Sequence, residues 1–364
     1  MRRIILYLIG VCLMTSCSEI ETRHAMFQLD DVTEKNGLMS ELLSSVEYIP
    51  LETNDSCLLD ELSKLLYSKD YIYASSNGEI MKFDKEGHFV GKLSRLGNAS
   101  FEYASIVDYD VVYRDGKTEI WVAHSNGISR YNSETFDFIE LIKLSYPVTH
   151  LKYVSDETIV LQTASDHTFC LCDINGEIRN EFLEKDPANL SHGLLQFIPM
   201  SGDVYCILAG TDEAVRYNSD METLEVVKHT AGLESLLTRE RNREYMDRYG
   251  YLNQPVETAK DFTSVVTFRE KGGKTLLFLR GPENERLFVN NGHGWGSYLI
   301  HPKSTLKNDL LPSVSSRFLL TLASCDGDDC FIQSIPASML DGVEVNGKVI
   351  HGEDNPVIMK YQIK

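Results

Sequence analysis

Between Tyr71 and Arg95 the chain reads YIYASSNGEIMKFDKEGHFVGKLSR: an apolar strand, a Ser-Asn-Gly turn, a second strand, a Lys-Glu-Gly turn and a third strand. Asn-Gly between alternating apolar residues is hairpin chemistry, because both turn positions need a positive φ. The same pattern recurs to the C-terminus, with Ile174-Asn175-Gly176 as another clear turn. Strand groups fall at residues 71–93, 107–143, 148–183, 194–229, 263–301 and 317–363. Units of roughly 40–50 residues with about four strands each predict a β-propeller. A length of 364 residues is long for one packed core but suits units that pack only on their neighbours.

The first and last groups complete the count. Leu58–Tyr67 fits an inner strand for blade one, and blade six shows only three strands before the chain ends. SVEYIPLE, with Val46, Tyr48 and Leu51 alternating and Pro50 confining it to an edge, can supply the fourth. The expected fold is an all-β, six-bladed propeller over residues 41–364, closed by pairing the N-terminal strand with the C-terminal blade. Leu233, Leu236, Leu237, Tyr245, Met246 and Tyr249 recur at helical spacing, so a helical insertion is expected at about 232–260, between blades four and five.

The N-terminus carries an address. Arg2 and Arg3 precede an apolar run from Ile4 to Leu13, followed by Met14-Thr15-Ser16-Cys17. A basic stretch before about ten apolar residues is a secretory signal, too short to span a bilayer. Its end resembles a lipobox, which makes residues 1–16 the signal peptide, Cys17 the lipidated residue and 17–40 a polar tether. Lipidation would fix the protein at the bacterial cell envelope, at the outer membrane, and make the membrane a partner. A net charge of −19 argues against nucleic acid, whose phosphates require clustered Lys and Arg. Cysteine spacing gives no disulfide framework. Cys170 and Cys172 share one strand face as small buried residues, and Cys325 and Cys330 bracket a turn that a disulfide could cross.

No H-E-x-x-H, G-x-S-x-G or CxxC pair is present, and no cofactor motif. Gly292-His293-Gly294-Trp295-Gly296 superficially suggests a dinucleotide loop, but its third position is wrong and no helix pattern follows. The same loop offers a ligand a close backbone and a flat indole. Trp295 and His293 are therefore candidate ligand-binding residues, with Arg95 and Glu102 as candidates at the central mouth. Trp121, inside a strand, is expected to pack between blades. His124, His167, His293 and His301 fall near strand ends, but at unmatched positions in the repeat, so no metal site is assigned. Asp326, Asp328 and Asp329 lack a complete calcium-loop pattern.

SSVEYIPLET at 44–53, IMKFDKEGHFVGKLSRLG at 80–97 and NPVIMKYQIK at 355–364 resemble the Bacteroidetes six-bladed β-propeller lipoproteins, an NHL-like group. The family's GQGPGEY-like segment has its counterpart in residues 97–103, which keep Gly97 and the Glu102-Tyr103 pair. The resemblance covers Leu38 to Lys364 and implies an exported, membrane-tethered propeller of unassigned role, in bacteria that live on complex glycans. The expected role is non-catalytic binding or scaffolding, for a glycan, a peptide or an envelope protein. The alternative is a metal-dependent lyase or hydrolase with its site on the propeller axis.

Overall fold

The computed structural model describes residues 25–60, 62–186, 197–250, 252–315, 322–325 (backbone) and 329–364. They form a six-bladed propeller. From the inner strand outward, blade one is Lys64–Tyr67, Ile72–Ser76, Glu79–Phe83 and Phe89–Leu93. Blade two is Asp108–Arg114, Lys117–His124, Gly127–Asn132 and Phe138–Ile142. Blade three is Val148–Ser155, Thr158–Thr163, His167–Cys172 and Ile178–Glu184. Blade four is Ile198–Met200, Asp203–Ile207, Glu213–Asn218 and Thr223–Lys228. Blade five is Ser264–Lys271, Lys274–Arg280, Glu285–Asn290 and Trp295–His301. Blade six takes Leu322–Cys325, Phe331–Ile335 and Val357–Ile363, and Leu43–Pro50 lies on its outer edge, antiparallel to Val357–Ile363. The inner strand of blade six was expected at Arg317–Leu322; the strand observed there is Leu322–Cys325, and residues 316–321 lie outside the described set.

The apolar residues explain the ring. The middle strands of each blade are buried on both faces and read as largely apolar runs, whereas outermost strands such as Phe138–Ile142 and Ile178–Glu184 are mostly exposed or half-buried; the buried side chains fall into six clusters, one per junction. Trp121, Ala123 and Ile128 of blade two meet Leu151, Ile159 and Cys170 of blade three. Ile332 and Ile358 of blade six meet Ile72, Met81 and Phe83 of blade one, with Ile49 and Leu51 between them. Fully buried, Trp121 donates from Nε1 to Glu119 at 2.7 Å and lies edge-on to Tyr153 of blade three, 5.3 Å between centroids. Cys170 and Cys172 are buried in the same junction, and burial pushes the Cys170 thiol up to about 11.

Turn chemistry sets the register. Asn77 (φ 50°) and Gly78 (φ 78°) make the two-residue hairpin loop that their identities predict. Gly87 and Gly176 hold one place in the repeat, the turn into the outermost strand. Both have positive φ, and a Cβ at either would collide with the outer strand of the preceding blade, at the Pro50 or Lys143 carbonyl. Packing one blade's edge into the next requires glycine there.

Residues up to 40 were expected to be tether, and the structure corrects this. Ala25–Leu42 is a strap across the outside of blades four to six. Phe27–Gln28 pairs in parallel with Thr230–Ala231, Thr33–Glu34 with Gly296–Ser297, and Gly37–Leu38 with Leu306–Lys307. A single helical turn, Met39–Leu42, then leads into the edge strand. Ala25, Phe27 and Leu29 are buried in alternation with Met26, Gln28 and Asp30, but this period of 2 ends at Leu29, and Met39 is buried ten residues later in another junction, so no sustained pattern marks the strap.

Between blades four and five the chain leaves the ring and forms two helices, Arg239–Tyr249 and Gln254–Asp261. Thr238 caps the first by accepting the Arg241 amide, and Gly250 (φ 76°) ends it. The pair is joined by a buried amide contact, Gln254 Nε2 to Asn242 Oδ1, with Thr258 beside it.

Candidate binding cleft

Where the strap, the start of the helical excursion and blade five meet, the surface folds into a cleft of about 720 Å³, within the range of ligand sites. Leu29, Val32, Leu279 and Phe288 form its apolar side, and Asp30, Ser235, Glu283 and Asn284 stand at its rim. A second hollow of about 410 Å³ adjoins it at Gly232 and Leu233, lined by Asp212, Lys228, Glu234, Glu240, Arg241 and Glu244.

Each wall has a local cause. The Gly281–Asn284 turn joins two blade-five strands and closes with the Gly281 amide on the Asn284 carbonyl, 2.7 Å. Gly232 (φ 90°) lets the strap pass, since a Cβ there would stand 2.7 Å from the Asp30 nitrogen. Leu237 donates to the Thr263 carbonyl (2.9 Å) and Asp212 to that of Leu237 (3.0 Å), which ties the excursion to blades four and five. Arg286 Nη1 reaches Glu34 Oε1 at 2.8 Å and so clamps the strap to blade five; Lys228 and Asp212 pair at 2.8 Å.

His229 anchors the strap beside the cleft. It is fully buried, with Nδ1 2.7 Å from Thr230 Oγ1 and its ring 5.3 Å from that of Phe268. Its carbonyl accepts the Phe27 amide at 2.8 Å, and its own amide donates to the Asp212 carbonyl at 2.9 Å. Burial drives its pKa down to about 3. Glu213 moves upward, first through burial and then through the neighbouring Asp212 charge, with Arg239 opposing.

The inner strands use their charges on one another. Asp108 of blade two accepts Lys64 Nζ of blade one (2.7 Å) and the Leu151 amide of blade three (2.9 Å). Asp110 accepts Lys152 Nζ (3.1 Å) and the Tyr153 amide (3.0 Å). These two carboxylates are joints between blades one, two and three.

The residues singled out in the sequence are not brought together. Trp295 opens the outer strand of blade five, half-buried and edge-on to Phe27 at 5.8 Å, where it supports the strap. His293 is exposed in the turn before it. Arg95 and Glu102 lie in the loop between blades one and two, with blade six between them and blade five. There Arg95 Nη2 donates to the Phe136 carbonyl (3.3 Å) and Glu102 accepts the Ala99 amide (2.8 Å). His124 is buried on Ser129 (2.8 Å), His167 lies 3.7 Å from Glu181, and His301 is exposed. Among the described residues no group of three or more His, Cys, Asp or Glu is placed to hold a metal ion. Cys17, the Cys325 side chain, Asp326 and Asp328 lie outside the described residues. Sequence reading missed the cleft because its walls come from three distant segments; the Gly-Pro-Glu-Asn turn at 281–284 was the nearest signal.

Comparison with known proteins supports the architecture. A Bacteroides fragilis protein expected to be exported shares the fold at a TM-score of 0.70 with 15% identity, over 93% of this chain and 99% of the other. A DUF4221-family structure from Bacteroides vulgatus aligns at 0.54 with 12% identity, over 89% and 98%. Both neighbours come from Bacteroides, in keeping with the resemblance read from the sequence. No curated protein matches. No helix among the described residues is long and apolar enough to cross a membrane. The profile of a domain of unknown function, DUF4934, matches residues 26–362, and the chain belongs to that family.

Proposed function

We propose that this protein is an exported, lipid-anchored recognition protein of the cell envelope, non-catalytic, whose ligand sits in the cleft between the strap and blade five. The observation that carries the reading is the cleft itself: a concave apolar surface with a polar rim, assembled by three segments that the fold spends specific contacts to hold in place. Charges in its walls pair with each other, Glu34 with Arg286 and Asp212 with Lys228, an arrangement that suits binding rather than proton transfer. The basic and apolar leader ending at Cys17 supports the anchor.

Two measurements test this. Cys17→Ala should abolish incorporation of labelled palmitate and release the protein from membranes; continued labelling would remove the anchor. A glycan and peptide array probed with the full chain should yield a ligand whose binding is lost in Ser235→Trp, which fills the cleft, and weakened in Trp295→Ala, which undercuts Phe27. A ligand indifferent to Ser235→Trp would move the site elsewhere.

A further inference from the structure

Resting on that reading, we infer that the cleft takes an extended, cationic stretch of polypeptide, in which an apolar side chain lies against the half-buried Val32 and Leu233 and Lys or Arg side chains face the carboxylates around them. The two hollows share Gly232 and Leu233 in their linings, so they lie side by side and an extended ligand seated in one can reach the other. The charge around them is one-sided. Lys228 and Arg286 are already neutralised by Asp212 and Glu34. Asp30 and Glu283 beside the larger hollow, and Glu234, Glu240 and Glu244 beside the smaller, are exposed and form no ion pair among the described residues. Against these five stands one further cation, Arg241, whose guanidinium donates to the Glu234 carbonyl (3.2 Å) and lies over the Phe262 ring. An anionic ligand would meet uncompensated like charge, and a cationic one is attracted. The floor decides between peptide and sugar. Phe288 is the one aromatic residue in the cleft wall and is only 3% exposed, so it offers no open ring face for a pyranose to stack on.

The test uses the full chain in mild detergent and three synthetic heptapeptides, blocked at both ends: alternating lysine and leucine, glutamate and leucine, and lysine and glycine. Fluorescence anisotropy should show binding of the lysine–leucine peptide. The lysine–glycine peptide should bind at least about tenfold more weakly and the glutamate–leucine peptide not at all. Asp30→Lys with Glu283→Lys should weaken lysine–leucine binding about tenfold. Glu86→Lys with Asp137→Lys, the same charge change on blades one and two, should leave it unaltered. Ser235→Trp should abolish it, with thermal melts confirming that each variant is folded. Three results overturn the inference: no lysine–leucine binding, equal binding of the glutamate–leucine peptide, or equal losses from the two charge-reversal pairs, which would reduce the effect to the overall negative charge. An array ligand that is neutral or anionic yet lost in Ser235→Trp would refute the cationic assignment while leaving the recognition reading intact.

Discussion

Acidification from pH 7 to pH 5 should weaken this propeller where blade four holds the strap. In the unfolded chain His229 titrates near 6.5, whereas burial in the folded protein holds it at about 3. A histidine whose folded pKa is depressed contributes stability that is complete above the unfolded value and is lost as pH falls towards the folded one. At pH 5 the unfolded state has taken up the proton and the folded state has not. The gap of about 1.5 pH units below the unfolded pKa, at about 1.4 kcal/mol per unit, amounts to about 2 kcal/mol. The loss falls where the His229 carbonyl holds the Phe27 amide, so the strap should loosen first. Urea unfolding of the wild type and of His229→Gln at both pH values isolates this contribution, because carboxylates and other histidines, including the buried His124, act equally in both proteins. The wild type should lose about 2 kcal/mol more than the variant between pH 7 and pH 5. Identical losses would show that His229 is protonated in the folded state, or reached by water, and would refute the burial argument.

Two further outcomes follow from packing and charge. Gly87→Ala should destabilise the protein by about 2 kcal/mol or more in thermal or urea unfolding, since the Cβ meets both a φ of 92° and the Pro50 carbonyl; Gly116→Ala, equally left-handed but with open space around it, should cost less. Glu213→Gln should stabilise the protein at pH 7, because the raised carboxyl pKa means that ionisation is harder in the folded state; the gain should vanish as pH falls through the unfolded value near 4.5, and a gain that grows on acidification would reverse the assignment.

The blades were legible because their signals are local. Asn77-Gly78 dictates a two-residue hairpin wherever it stands, and the buried runs Ile72–Ser76 and, within Thr158–Thr163, residues 159–161 are apolar or small on both faces, as strands between two blades must be. Trp121 announced its burial by its place within such a run. The strap was illegible for the opposite reason. Phe27, Leu29 and Met39 are anchored by partners near residues 230, 268 and 300, and isolated apolar residues in a polar stretch resemble a linker. Trp295 was noticed for the right chemistry, an indole beside glycines, but its partner Phe27 belonged to that unread strap. The cleft inherits the same obscurity, since Asp30, Gly232 and Glu283 acquire common meaning only after the ring has formed.

The pairing of Leu43–Pro50 with Val357–Ile363 has a consequence for biogenesis. The edge strand is made about 300 residues before its partner, so the earlier segment must wait for the later. Any chain released prematurely would present an unmated Leu43–Pro50 ribbon and a gap beside blade one, a state open to aggregation and proteolysis. The circular architecture thus doubles as a check on synthesis, in which only a polypeptide that has reached Ile363 can lock.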